Sequence, residues 1–416
     1  MTAAKTVPKT EYKVKFGRLY GWGANSHDNL ALGRGAHKEE VLTPREINLT
    51  HINLDPIDIE KIVGGGGHTL MIDKSGKVYS CGWNVRGQAG TTEQTYIIVK
   101  VSGLDDLKIV DVACGWDCSM ALTDDGLVYA WGSNLYGQLG GLLPIGVKTN
   151  KPKYLQLDRP VKKISLGLRH SAIVTCDNKV LTSGAGNKGQ LGRDLQDATN
   201  SNEFVEGYLS FILRILLEIL TNFNFYTVPG FDNVSSVSCG QYHTVICTND
   251  NKVFAWGDNR YGQLGVDISK FKQTTKPLEV EGLKNFGICK EVYCAWTHSA
   301  IINSENKVYL WGRNAYGQLG LTNMTPICTD TWTAKQVEIP HKIKEFCIGS
   351  QHNLMLCDNN QVFSWGWNEH GSCGVGHIDD IYEPTAVPIP HSHEEILHIG
   401  TGAAHCFAIV RKDESD

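Results

Sequence analysis

No C-x-x-C pair, no H-E-x-x-H run and no Ser/His/Asp or paired-carboxylate constellation stands out in the chain. Those absences set aside a cysteine-built zinc site, a metalloprotease helix and the usual hydrolytic machinery. Gly64–Gly67 is followed by His-Thr rather than Gly-Lys-Ser/Thr, so it is not a phosphate-binding loop. The stretch from Gly184 to Gly189 fits G-x-G-x-x-G, but it opens no helix and is one degenerate copy of a repeat. No cofactor and no metal is expected. A net charge of -5 and a pI near 6.3 leave no dominant basic surface for nucleic acid or membrane. The start of the chain lacks a charged-then-apolar leader with a cleavage site. Its thirteen cysteines therefore read as reduced thiols of a cytoplasmic protein, also nuclear in the wider reading, and the N-x-S/T triplets at Asn48, Asn233 and Asn323 as idle.

What the chain has in abundance is one repeated sentence. It reads GRLYGWGAN (Gly17–Asn25), GKVYSCGWN (Gly76–Asn84), GLVYAWGSN (Gly126–Asn134), NKVLTSGAGN (Asn178–Asn187), NKVFAWGDN (Asn251–Asn259), NKVYLWGRN (Asn306–Asn314) and NQVFSWGWN (Asn360–Asn368). Most copies continue into Gly-Gln-Leu-Gly or a near variant. A second element alternates with the first: GGGGHT (Gly64–Thr69), CGWDCS (Cys114–Ser119), LGLRHS (Leu166–Ser171), CGQYHT (Cys239–Thr244), CAWTHS (Cys294–Ser299), IGSQHN (Ile348–Asn353) and TGAAHC (Thr401–Cys406). Each leads into an apolar run, a short polar turn and the next Tyr-x-Trp-Gly strand, which is a β-hairpin signature. A period of about 50–55 residues means an array of supersecondary units rather than one enzyme core.

The termini hold complementary halves of one hairpin: Arg18–Trp22 lacks the preceding His-led strand, and His405–Val410 lacks the following Trp-Gly strand. Pairing them closes a ring and covers two open edges. The expected architecture is all-β, a seven-bladed propeller over residues 17–411. A flexible arm (1–16) carrying four lysines precedes it, and an acidic tail (412–416) follows. One interval, His170 to His243, is about 20 residues too long. The excess, about 207–226, is apolar except for Ser210, Arg214, Glu218 and Asn222 at every fourth position. It reads either as a docked or partner-binding helix or as a translated intron. The run is too short, and too charged at Arg214 and Glu218, to span a membrane.

Trp22, Trp131, Trp256, Trp311 and Trp365 share one repeat position, with Cys81 and Ser183 in the other two; periodic aromatics read as packing between blades. Cys114, Cys239 and Cys294 share another, as small polarizable fillers. The asparagines after Trp-Gly read as left-handed turn residues. His68, His170, His243, His298, His352 and His405 occupy one slot, with Cys118 in the seventh, and read as hydrogen-bonding pegs kept too far apart to bind a metal. Variation against the repeat is concentrated in the two residues before each histidine. Equivalent turns lie on one face of a ring, so Trp116, Asp117, Arg169, Tyr242 and Trp296 sketch a partner-binding surface of hot-spot composition. Trp296 follows Ala295 instead of glycine, which predicts a shifted turn. Trp83, Trp367 and His405 are further candidates. The Gly-Gln-Leu-Gly loops are expected on the opposite side of the ring.

These repeats resemble those of the regulator of chromosome condensation superfamily, over essentially Gly17–Val410. Within it VGGGGH (Val63–His68), ACGWD (Ala113–Asp117), GLRH (Gly167–His170) and SWGWNEHG (Ser364–Gly371) look most like the secretion-regulating guanine nucleotide exchange factors. The resemblance implies a seven-bladed propeller that acts on a small GTPase in secretion, with an exocyst subunit as a further partner. The alternative is a non-catalytic adaptor in vesicle tethering. In the superfamily's chromosome-bound exchange factor, acids in the Gly-x-x-His turns of the second and third repeats face the GTPase. The matching positions here are Trp116 and Arg169. Reversed charge at Arg169 points away from Ran as the partner.

Overall fold

Apolar residues alternate along each repeat and polar turns punctuate it, so each repeat folds as four antiparallel strands. The computed structural model describes residues 16–193, 224–283, 286–321, 329–390 and 394–412. Blade 2 shows the pattern, with strands Ile59–Gly64, His68–Asp73, Val78–Gly82 and Thr95–Lys100. Blades 3 to 7 repeat it over 109–155, 161–227, 234–279, 289–336 and 343–386. Blade 1 is assembled from both ends: Ile396–Thr401 and His405–Arg411 pair with Gly17–Ala24 and Glu40–Glu46. Gly17 lies opposite Arg411 and Gly23 opposite His405, the closure that the two half-hairpins predict. Blades 1 and 2 also share a single parallel bridge, Thr401 to Val63, so they register as one eight-stranded sheet. Most of the long interval, 207–223, lies outside the described residues, while Tyr226 and Thr227 form the outer strand of blade 4 against Thr182 and Leu181. Among the described residues no helix is long and apolar enough to cross a membrane.

The second strand of blades 2 to 7 is buried along its whole length, and that of blade 1 up to Arg411, because neighbouring blades cover both of its sides. Two polar devices set the spacing of the blades within this apolar wall. The histidines are essentially unexposed, and Nε2 of each reaches a polar side chain on the next blade. His68 donates to Ser119 Oγ (2.9 Å), and Ser119 donates onward to the Gln88 carbonyl (2.7 Å). His170 uses Thr244 and Gln190 in the same way, and His243 uses Ser299 and Gln263. The same carbonyls accept the buried indoles: Trp131 Nε1 on Gln88 (2.9 Å), Trp256 on Gln190 (2.9 Å), Trp311 on Gln263 (3.0 Å) and Trp365 on Gln318 (3.1 Å). Glycine closes the Gly-Gln-Leu-Gly loop because the next tryptophan lies over it: at Gly192 (φ 71°) a Cβ would stand 2.7 Å from the Trp256 ring.

The left-handed residues are not the asparagines after Trp-Gly. Those use their side chains instead, as when Asn134 Oδ1 accepts the Leu139 N–H (2.9 Å) and Nδ2 donates to the Leu143 carbonyl (2.6 Å). Positive φ falls in the turn after the second strand, at Asn178, Asn251, Asn306 and Asn360 (59–65°) in blades 4 to 7 and at Gly76 and Gly126 (80° and 87°) in blades 2 and 3. The innermost strands also carry charges. Lys61 pairs with Asp111, Glu345 lies 3.6 Å from His398, and Lys163 reaches Glu291 (3.2 Å) two blades away.

Burial pushes the pegs far down: His68, His170, His243, His352 and His405 to about 3, His298 to about 4. Protonation would add a charge at an Nδ1 that, in five of them, has no hydrogen-bond partner. The unfolded chain protonates these imidazoles near 6.5, so between that value and about 3 it binds more protons than the folded one, and stability falls as pH falls. The melting temperature should therefore drop steadily from pH 7 to pH 4; a flat profile would contradict the buried neutral pegs. Deleting residues 1–23 removes the strand that pairs with 405–411 and should lower the melting temperature by about 5 °C or more, as a loss of several kcal/mol would in a chain of this length. A truncated chain that melts like the full one would show that the ring closes some other way.

Candidate functional site

Each innermost strand ends in a Gly-x-x-His turn, and all seven turns line one opening on the ring axis. Every turn is closed by the same bond, the glycine N–H to the carbonyl of the residue in the histidine slot, from Gly65–His68 (2.8 Å) to Gly402–His405 (2.8 Å). Ala295 makes it too, to His298 (2.9 Å), so the turn that carries Trp296 is not shifted. Adjacent turns are joined by backbone hydrogen bonds, including Leu168 N to Gly240 O (3.2 Å), Trp296 N to Ser350 O (2.9 Å) and Ala403 N to Gly65 O (3.1 Å). The result is a collar whose backbone is fixed and whose x-x side chains are free to differ.

Trp116 and Trp296 come from blades 3 and 6, yet their rings meet at the opening, 5.6 Å apart between centroids and inclined at 50°. Trp116 is 36% exposed, and it is why the preceding turn has glycine at 66: a Cβ there would stand 2.7 Å from its ring. Asp117 turns inward, where burial raises its carboxyl and the Gln138 amide approaches at 3.4 Å. Arg169 lies over the Tyr136 ring, 4.4 Å from its centroid. Tyr242 is half-buried beside the third strand of its own blade, its carbonyl accepting the Asp258 N–H (2.8 Å). Trp83 stacks on His27 (4.7 Å, 13°), and Trp367 meets His370 edge-on (5.2 Å, 85°). His405 is different: it is 1% exposed and its Nε2 bonds to Thr69 Oγ1 (2.9 Å), so it belongs to the wall and not to the face.

The Gly-Gln-Leu-Gly loops are on this same face, not the opposite one. Strand parity requires it, since first-to-second and third-to-fourth connections of an antiparallel blade leave at one end. The residue after each Trp-Gly accordingly bonds back to the turn, as in Ser133 N to Asp117 O (2.9 Å) and Arg313 N to Thr297 O (3.0 Å). That placement brings in residues the repeat comparison missed. Tyr136, Tyr261 and Tyr316 precede Gly-Gln-Leu-Gly in three blades only, a signal present in the sequence. Arg313 lies over both Tyr261 (4.8 Å) and Tyr316 (4.7 Å), with Arg260 at 5.8 Å from Tyr261.

The RCC1-like domain profile matches residues 18–408. The secretion-regulating guanine nucleotide exchange factor of Bos taurus is 32% identical, with 94% of this chain and 83% of the relative covered. The regulator of chromosome condensation of Xenopus laevis is 29% identical over 92% and 87%. Among solved structures, Prp20p of Saccharomyces cerevisiae superposes with a TM-score of 0.81 at 23% identity, covering 97% of this chain and 94% of that one, a likeness of fold.

Wall and face should respond differently to substitution. His170→Ala removes a buried donor to Thr244 and should cost roughly 1–3 kcal/mol of stability. Arg169→Ala should stay within about 0.5 kcal/mol, as a surface change. Thermal melting of the two variants measures the contrast, and equal losses would place Arg169 in the frame.

Proposed function

The chain belongs to the RCC1-like domain family, and from that premise we propose that it is a guanine nucleotide exchange factor for a small GTPase, working through the collar face. The observation that carries this reading is the Trp116–Trp296 pair, two apolar anchors held at the mouth of a ring of seven hydrogen-bonded turns. Exchange needs no bond-making side chain. It needs a surface that binds the nucleotide-free GTPase more tightly than the nucleotide-bound one, so that docking weakens nucleotide affinity by the same differential free energy. A stiff collar suits that task, since its shape is set before the partner arrives.

The 32% identical relative of Bos taurus carries a name that supports a role in guanine nucleotide exchange and in secretion. We place this chain in secretion on the strength of the VGGGGH, ACGWD and SWGWNEHG motifs. Arg169 stands where an acid is expected for Ran, so the proposed substrate is a different GTPase. An exocyst subunit is implied by the motif resemblance alone, and no described residue of the collar face speaks for it.

The test is release of fluorescent GDP from a panel of secretory-pathway GTPases with the full chain added. At least one should release nucleotide ten or more times faster. Trp116→Ala should slow that release about thirtyfold, the equivalent of a hot-spot loss of about 2 kcal/mol. Capture of a GTPase without faster release would make the propeller an adaptor and overturn the exchange reading.

A further inference from the structure

The collar face is not uniform around the ring. On blades 7, 1 and 2 the positions before the histidines are Ser350/Gln351, Ala403/Ala404 and Gly66/Gly67, small or neutral. On blades 3 to 6 they are flanked by an arginine–tyrosine array. Arg169 covers Tyr136, and Arg313 lies between Tyr261 and Tyr316, with Arg260 beside Tyr261. Stacking occupies the flat side of a guanidinium and orients its N–H edge, which is the edge that reads a carboxylate with two parallel bonds.

Three carboxylates described in this sector are turned away or engaged. Asp258 is 2% exposed and takes Arg260 Nε (2.9 Å) together with the Gln263 amide (3.0 Å). Asp117 faces Gln138 inside the rim, and Asp330 takes the Asn314 N–H (2.8 Å). Among the described residues no carboxylate forms an ion pair with Arg169 or Arg313. A chain with net charge -5 thus presents arginine on this half of one face.

We propose that blades 3 to 6 of the collar face dock an acidic surface of a protein partner, with Arg169 and Arg313 reading its carboxylates. The Trp116–Trp296 pair serves as the apolar anchor beside them. The inference rests on the collar face being the docking surface, and it supplies the chemistry of what docks: Asp and Glu side chains around an apolar centre. Stacked arginines make the recognition geometric as well as electrostatic, so lysine is a poor substitute.

The probe is a fluorescein-labelled peptide of alternating Glu and Leu, with the Lys/Leu peptide as its counterpart, titrated with the full chain by fluorescence anisotropy. The acidic peptide should bind, the basic one should not, and affinity should fall on raising the salt from 50 to 300 mM. Arg169→Gln and Arg313→Gln should each weaken binding about tenfold, which is about 1.4 kcal/mol. Arg313→Lys should restore only part of that loss. Arg159→Gln, at an exposed ion pair in the connection between blades 3 and 4 on the other side of the ring, should change nothing. The proposal is overturned if both peptides bind alike, if the Gln variants bind as tightly as the parent, or if only anionic lipid vesicles bind. Exchange that survives in Arg313→Gln at low and high salt would overturn this partner chemistry alone. Peptide binding that obeys the variants without any GDP release would leave it standing and overturn the exchange reading.

Discussion

The structure depends on buried imidazoles that reach from blade to blade, and at three joints, those of His68, His170 and His243, the imidazole N–H donates to a hydroxyl that donates to the glutamine carbonyl of the Gly-Gln-Leu-Gly loop. The hydroxyl has one proton, and the carbonyl takes it, so the histidine must carry a proton on Nε2, while burial keeps the ring neutral and Nδ1 bare. At Gln88, Gln190 and Gln263 the carbonyl accepts a second bond from a tryptophan indole, which uses both of its lone pairs. Three side chains and one loop are thereby fixed at each of these three joints, with the bridging hydroxyl paired on both sides. An apolar wall alone would hold seven sheets together but would leave their relative heights free to slide. The polar relay removes that freedom, and with it any play in the turns that form the collar.

One joint has neither the histidine nor the tryptophan. Between blades 3 and 4 the histidine slot holds Cys118 and the tryptophan slot holds Ser183, so neither device is present. Ser171 and Ser183 donate instead to the Gln138 (2.7 Å) and Gly137 (2.8 Å) carbonyls, and Met120, Leu122, Ile164, Ile173 and Leu181 fill the space. Above that joint Arg169 of blade 4 stacks on Tyr136 of blade 3. The exception in the wall therefore sits under the half of the face where charged and aromatic side chains gather.

Much of this was legible in the chain. Seven copies of a hairpin, a histidine slot and a Trp-Gly slot specify blades, and complementary ends specify closure. The packing of Trp22, Trp131, Trp256, Trp311 and Trp365 followed from their period. Other features were not legible, for identifiable reasons. Sequence spacing measures distance around the ring and says nothing of distance across it, so the meeting of Trp116 with Trp296 was invisible. The side on which Gly-Gln-Leu-Gly lies follows from counting strands, which places it with the Gly-x-x-His turns. The Trp-Gly-x-Asn asparagines are equally suited to a left-handed backbone and to side-chain bonding, and only the positions of the Leu139 N–H and Leu143 carbonyl decide between them. His405 shares a turn with exposed residues, yet the strand direction sends it into the wall.

The central claim is that a rigid frame presents one variable face and that this face carries the function. Hydrogen–deuterium exchange of the full chain, alone and with a nucleotide-depleted GTPase that responds in the release panel, tests it directly. Protection is predicted in peptides containing Trp116–Asp117, Tyr136, Tyr242, Trp296 and Arg313, with the His-led strands already protected and unchanged. Protection confined to the connections between blades at the other end of the ring, such as Asp158–Arg159, would contradict it.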